Sequence, residues 1–446
     1  METDFPKIGV RVPKVLLPSK NIDLQRWAVV ACDQYTSQLE YWQEVEKLVQ
    51  NSPSTLNLIF PEVYLEAPGK QERIKKIVKS MKEYLSKGYL QETDPCLILV
   101  DRKTKNVASR KGLILSIDLE KYDYNKGSSS IIRATEGTIL ERLPPRIEVR
   151  KDAIIELPHI LVLIDDPEKT VIEPLFSKLG TYEKIYDFDL MLDSGYLQGY
   201  KISEERDIIR VIQALEDLAE KKTFERKYNV QDKPVLLFAM GDGNHSLATA
   251  KAVWEQKKEK INDEKKLEEH PARFALVEIV NVHDEGIKFE PIHRVVFNIP
   301  EDFFEKMDQF FKNQGSTFSF KKFKSEKEIA KVLSKKSKAH LIPYYKENEL
   351  GIITIKNPKK NLVVGSLQAF LEEIGKNSGI TIDYIHGEEV VKNLASKKGN
   401  MGFLLPSMKK EDLFKTVILE EALPKKTFSM GEASEKRFYL EARKIA

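Results

Sequence analysis

The residues Gly241-Asp242-Gly243-Asn244-His245-Ser246 place a carboxylate, an amide, an imidazole and a hydroxyl within six positions. An apolar run of strand length, 234–240, leads into them, and a helix-period run begins near His245. The first N–H groups of a helix have no intrahelical partner and carry the positive end of its dipole, so a phosphate is stabilised there. Gly241 and Gly243 let such a group come close to the backbone. Asp242 suits a general base for a hydroxyl or, equally, a Mg²⁺ ligand beside a phosphate. For His245 the dipole favours the neutral imidazole, a donor of one hydrogen bond. The plainer alternative is a turn at Asp242-Gly243 with Asn244 capping the helix.

Two further segments carry groups that could grip an anion. Pro291-Ile292-His293-Arg294 runs into the apolar Val295, Val296 and Phe297, so a guanidinium near a strand end could hold a phosphate. Arg133-Ala134-Thr135-Glu136 is followed by Glu141, Arg142, Arg146 and Arg150 in an irregular, proline-containing stretch, the composition expected of a polyanion clamp. Pro144 and Pro145 are expected to prevent a continuous helix there, so these arginines need not share a face. A solvated loop with internal ion pairs accounts for the same residues. His283-Asp284-Glu285 and Asp33-Gln34-Tyr35-Thr36 read as polar turns.

Several common enzyme signatures are missing. Gly241-x-Gly243-x-x-Ser246 departs from the dinucleotide fingerprint at the third glycine, and Asp242 would face a pyrophosphate. The chain has no Gly-x-x-x-x-Gly-Lys-Ser/Thr, no Gly-x-Ser-x-Gly, no His-Glu-x-x-His and no Cys-x-x-Cys.

The elements that must position these groups follow from periodicity. Helices are expected over 69–87, 168–178 and 203–221, and strands at Cys96–Val100, Gly112–Ile117, Ile160–Ile164, 184–192, 196–201, 273–282 and 287–297. Residues 301–375 read helix, strand, helix, strand, strand, helix. Strands near 380–385 and 401–405 then alternate with helices near 388–397 and 409–416. The mixed order predicts an α+β fold. At 446 residues more than one core is expected: a main domain over 1–300, an added or inserted α/β subdomain over 301–378, and a segment 379–446 returning to the main domain. The net charge of +3, from 72 basic and 69 acidic residues, supplies no whole-protein field for nucleic acid, which leaves only a local basic patch for such a role. No apolar run reaches membrane-spanning length, and two cysteines with no secretion signal imply a cytoplasmic protein.

Gly241–Ser246, Pro291–Arg294 and Ala31–Thr36 resemble a widespread prokaryotic family, domain of unknown function 1015. Gly112-Leu113-Ile114, Ile382–His386 and Leu423–Thr427 extend the resemblance over nearly the whole chain. The family's central Asp-Gly-His-His-Arg is similar to the phosphate motif of the ParB and sulfiredoxin superfold, which includes nucleotide hydrolases and free serine kinases. Asp242, Gly243 and His245 match that motif, while Asn244 and Ser246 depart from it. The missing arginine must be replaced from elsewhere, by Arg294 or Arg142. The resemblance implies a mixed sheet with a ParB/sulfiredoxin-like core. It also implies nucleotide-dependent phosphoryl transfer, with ATP or ADP and Mg²⁺, to a small hydroxyl compound such as free serine. Asp242 and His245 would be catalytic. Gly241, Gly243, Asn244, Ser246, His293, Arg294, Arg133, Thr135, Glu136, Arg142 and Arg146 would bind phosphate or nucleotide. The alternatives are a nucleotide-binding regulatory protein of ParB type and a metal-dependent phosphomonoester hydrolase using Asp284 and Glu285.

Overall fold

The computed structural model describes residues 1–376 and 378–446, divided into two compact units. Unit 1 comprises Met1–Ile287 and Gly431–Ala446, and unit 2 comprises Lys288–Met430. The boundaries therefore fall at 287 and 430, not at 300 and 378. Only the last sixteen residues, 431–446, rejoin the first unit, and the strand at His293 belongs to the second.

Unit 1 is built on a mixed sheet. Its main strands are β1 (Leu97–Lys103), β2 (Arg110–Asp118), β3 (Leu161–Ile164), β4 (Glu183–Asp189), β5 (Tyr196–Ile202), β6 (Phe238–Asp242) and β7 (Phe274–Asn281). They lie in the order β4-β5-β1-β2-β7-β3-β6. The β7–β3 pair is parallel and the other neighbours in that series are antiparallel. Both faces are covered, which is why the first four residues of β1 and the whole of β3 are apolar. Leu97, Leu99, Val162 and Ile164 pack in one core with Ile208, Leu247 and Trp254. Ile98, Val100 and Leu276 pack in the other with Trp27, Ile77 and Met81. The helices that matter for the site are α1 (Lys70–Ser86), α2 (Leu143–Arg150), α3 (Glu205–Leu218) and α4 (Asn244–Lys258).

Two expectations about helices change. Pro144 and Pro145 do not break α2 but open it, because the first helical turn needs no N–H donors. Arg146 and Arg150, four apart, consequently share a helix face. The helix expected over 168–178 shrinks to Glu173–Phe176. Upstream of it, the buried Asp166 carboxylate accepts the Thr170 and Val171 N–H groups (2.6 and 2.9 Å), which holds that stretch as a loop.

In unit 2, β8 (His293–Phe297), β9 (Thr317–Phe323), β10 (His340–Lys346), β11 (Glu349–Lys356), β12 (Thr381–Ile385) and β13 (Met401–Phe403) form an antiparallel sheet in the order β9-β11-β10-β13-β8-β12. The order of elements expected over 301–375 is found there, from Phe303–Asn313 to Val363–Gly375. A phenylalanine cluster including Phe303, Phe311, Phe318 and Phe370 fills one face. The strand expected over 287–297 is interrupted at Ile292. A mixed sheet in one unit and an antiparallel sheet in the other, together with helices, place the chain in the α+β class, as expected. Among the described residues no helix is long and apolar enough to cross a membrane.

Gly112 on β2 faces the buried Glu278 of β7. An added Cβ would lie 2.3 Å from Glu278 Oε1. Gly112→Ala is therefore expected to cost about 1–3 kcal/mol by overpacking, read as a lower urea midpoint.

Candidate functional site

Strand β6 ends at Asp242 and α4 starts at Asn244, with Gly243 between them at φ 80°. That left-handed conformation suits glycine, and an added Cβ would also press on Ile160 at 3.1 Å. Among the described residues no side chain caps this helix at Gly243, and the positive end of its dipole lies at Asn244–Ser246. The Asn244 Oδ1 atom is shielded from water and has no hydrogen-bond partner among the described residues. Thr135 Oγ1 donates to the Met240 carbonyl (2.7 Å), pinning the end of β6.

Asp242 is paired. Its Oδ2 accepts from Lys436 Nζ at 3.0 Å and its Oδ1 from the Gly243 N–H at 3.0 Å. Burial pushes this carboxyl up, but Lys436, the nearby His159 and the Gly243 amide outweigh it and hold Asp242 below the usual carboxylate range. It is ionised at neutral pH.

Because β3 pairs with β6 with Leu161 opposite Asp242, the residues just before β3 reach the head of α4. His159 Nε2 lies 2.7 Å from Ser246 Oγ and His159 Nδ1 lies 2.7 Å from the Tyr439 hydroxyl. Asp33 Oδ2 stands 4.0 Å from His159 Nε2. The imidazole bonded to Ser246 is thus His159. His245 sits half-buried in the first turn of α4, where its carbonyl accepts from Thr249 Oγ1 (2.7 Å).

Ser246, His159 and Tyr439 line a cavity of about 140 Å³, whose other walls include α1, α2, the segments 58–65 and 153–160, and Leu276 of β7. Arg146 reaches it from α2 and forms a two-pronged ion pair with Glu62, one contact being Nε to Oε1 at 2.7 Å. Burial raises the Glu62 carboxyl, with Asp33 adding to the rise and Arg146 opposing it. Burial likewise pushes the Cys32 thiol far up, helped by Asp33 and Glu62, so it is no thiolate nucleophile.

The remaining anion-binding candidates are not gathered here. Arg133 is buried and donates to the Ser130 and Pro234 carbonyls (2.7 and 2.8 Å), a structural brace. Arg142 is exposed, and its carbonyl accepts from Arg146 (2.7 Å). Glu136 is half-buried. His293 and Arg294 belong to unit 2. There His293 Nδ1 accepts the Leu405 N–H (3.0 Å), and Arg294 donates to the carbonyls of Ile292 and Lys425. Burial, with Arg294 and His386 adding to it, lowers His293 to about 4. Asp284 and Glu285 follow the far end of β7, since Glu278 and not Asn281 is the partner of Leu161. Among the described residues no group of three or more His, Cys, Asp and Glu side chains could by itself hold a metal ion.

Sequence reasoning missed His159, Glu62, Lys436 and Tyr439, and read Asp33 as turn chemistry. His159 had one visible signal, a lone histidine directly before a wholly apolar strand. Lys436 and Tyr439 come from a sequence-remote segment and had none.

Replacing Lys436 by methionine removes the group that most lowers Asp242, leaving burial to raise it. In the native protein, the stabilisation from Asp242 is present above its ordinary value of 3.8 and fades as pH falls through the lowered one. Lys436→Met should be less stable by about 1–3 kcal/mol at pH 7, less than a fully buried pair because Asp242 keeps 25% of its side-chain surface exposed. The gap should close as pH falls through the lowered value, once Asp242 is protonated in both folded proteins and in both unfolded chains. Denaturant titrations across pH measure this.

None of the curated proteins searched matches the chain. Among solved structures, a conserved hypothetical protein from Pyrococcus furiosus is similar at 13% identity, covering 74% of this chain and 94% of its own, with a TM-score of 0.34. A free serine kinase in complex with AMP is similar at 12% identity, covering 77% and 95%, with a TM-score of 0.37. SbnI with a C-terminal truncation, from Staphylococcus aureus, is similar at 8% identity, covering 73% and 82%, with a TM-score of 0.34. Likeness at that level carries no weight for activity. The family model described as "Protein of unknown function (DUF1015)" matches residues 16–373, most of the sequence, and the chain belongs to that family.

Proposed function

We propose that unit 1 transfers a phosphoryl group from a nucleotide to a small hydroxyl compound, at the head of α4. The observation that carries this reading is the meeting of the uncapped head of α4, the Ser246 hydroxyl and the Lys436 ammonium with an ionised Asp242 beside a cavity. Phosphoryl transfer asks mainly for positioning and charge neutralisation, which this set supplies without a covalent nucleophile. In the step, the acceptor oxygen bonds to the γ-phosphorus of ATP, the bond from that phosphorus to the bridging oxygen breaks, and ADP leaves. Asp242 takes the hydroxyl proton. Lys436 and the dipole at the head of α4 offset phosphate charge, and His245 in the same turn stabilises the charge that develops. Free serine is the acceptor that the family resemblance suggests.

Mg²⁺ in nucleotide enzymes is often held by one or two carboxylates together with the phosphates, and it neutralises phosphoryl charge. Asp242 is the carboxylate here that fits such a role. The hydrolase alternative loses support, because Asp284 and Glu285 follow the opposite end of the sheet from Asp242. Nucleotide binding without transfer, as in a regulatory protein, remains the second reading, favoured by the Lys436 pairing that occupies Asp242.

ATP or ADP should raise the melting temperature of the full chain, corresponding to about 2.7 kcal/mol at a hundredfold excess over Kd. Asp242→Asn should retain that ligand-induced shift while slowing transfer by about 10²–10⁴-fold, the usual worth of a general base. Normal turnover in that variant would remove Asp242 from the base role. A nucleotide shift without any transfer in the native chain would favour the regulatory reading.

A further inference from the structure

We propose that the cavity beside Ser246 takes an uncharged apolar body of roughly benzene size, so that the acceptor is an aromatic or branched-alkyl alcohol in place of free serine. This rests on the reading of the α4 head as a phosphoryl site.

Size is the first ground. The cavity measures about 140 Å³, and an apolar void of ~150 Å³ in another protein is known to hold one benzene. Its walls are the second. Phe60, Ile77, Met81, Ala153, Ile155 and Leu276 present hydrocarbon from several elements of the same core. Such a surface binds an apolar body and offers a zwitterion nothing.

The charged residues of the lining are the third ground, because they are already satisfied. Arg146 grips Glu62 with both prongs of its guanidinium. Arg150 donates to Glu156, which also accepts from Arg443 and from the Leu276 N–H. The ammonium and carboxylate of serine would have to break one of these pairs or be buried unpaired, and either course costs several kcal/mol.

The polar end of the cavity sets the orientation. The Tyr439 oxygen accepts the Cys32 N–H at 3.1 Å, and Tyr439 is only 2% exposed, so its own proton needs an acceptor. His159 Nδ1, at 2.7 Å, provides one. With Nδ1 acting as that acceptor, His159 Nε2 donates to Ser246 Oγ, 2.7 Å away. The Ser246 proton is left for an incoming oxygen. The oxygen end of the ligand faces Ser246 and the α4 amides, and the body lies in the hydrocarbon pocket.

The test compares benzyl phosphate, phosphoserine and inorganic phosphate by calorimetric titration of the full chain. Benzyl phosphate should bind at least about tenfold more tightly than either, a margin of about 1.4 kcal/mol. Ala153→Leu, which extends a side chain into the pocket, should bring the ratio of benzyl phosphate to inorganic phosphate affinity close to one. Phosphoserine binding as tightly as benzyl phosphate to the native chain would overturn the proposal and leave the phosphoryl site standing. No binding of any of the three would sink both. The native-chain ratio decides the matter even if the variant fails to fold.

Discussion

Asp242 and Lys436 are 194 positions apart in sequence and 3.0 Å apart in space, and the site depends on that pair. A carboxylate at the end of a buried strand would ordinarily take up a proton as water is withdrawn from it. The ammonium reverses that tendency and keeps the negative charge in place at the mouth of α4. Gly243 makes the arrangement geometrically accessible, since its left-handed backbone turns the chain from strand to helix in one residue while Ile160 packs against it. The Gly243 N–H then adds a second donor to the same carboxylate.

The last sixteen residues are held by an ionic network inside the sheet. Arg437 lies 3.2 Å from Glu278 and 2.7 Å from Glu441, and Tyr186 donates to Glu441. All four side chains are buried. Such a network adds little net stability, since desolvation consumes most of the Coulombic gain, but losing one member strands the others in a low-dielectric interior. It fixes the register in which Phe438–Tyr439 pairs with Val29–Val30. That pairing places Tyr439 beside His159 and Cys32.

Much of this was legible in the chain, for local reasons. The Gly241–Ser246 junction announced itself because one hydrophobic period stops and another starts within a few residues, with glycines between. The alternation over 301–375 was readable because each element there is amphipathic and short. The roles of the arginines were not readable. Arg133, Arg146 and Arg150 look alike in a proline-rich stretch, and what separates a brace from an ion-pair partner is the carbonyl or carboxylate that the fold brings up. Pro144 and Pro145 misled for the same reason, since a proline that breaks a helix and one that begins it differ only in where the preceding turn lies. The residues missed altogether, Lys436 and Tyr439, reach the site through strand pairing across four hundred positions, which no local pattern encodes.

This late contribution bears on how the polypeptide matures during translation. A ribosome emits Asp242, His159 and Ser246 long before it emits the lysine and tyrosine that complete their surroundings. Until then Asp242 lacks the ammonium that outweighs its burial. The pairing of Asp242 with its counter-ion is therefore among the last contacts of unit 1 that synthesis makes available.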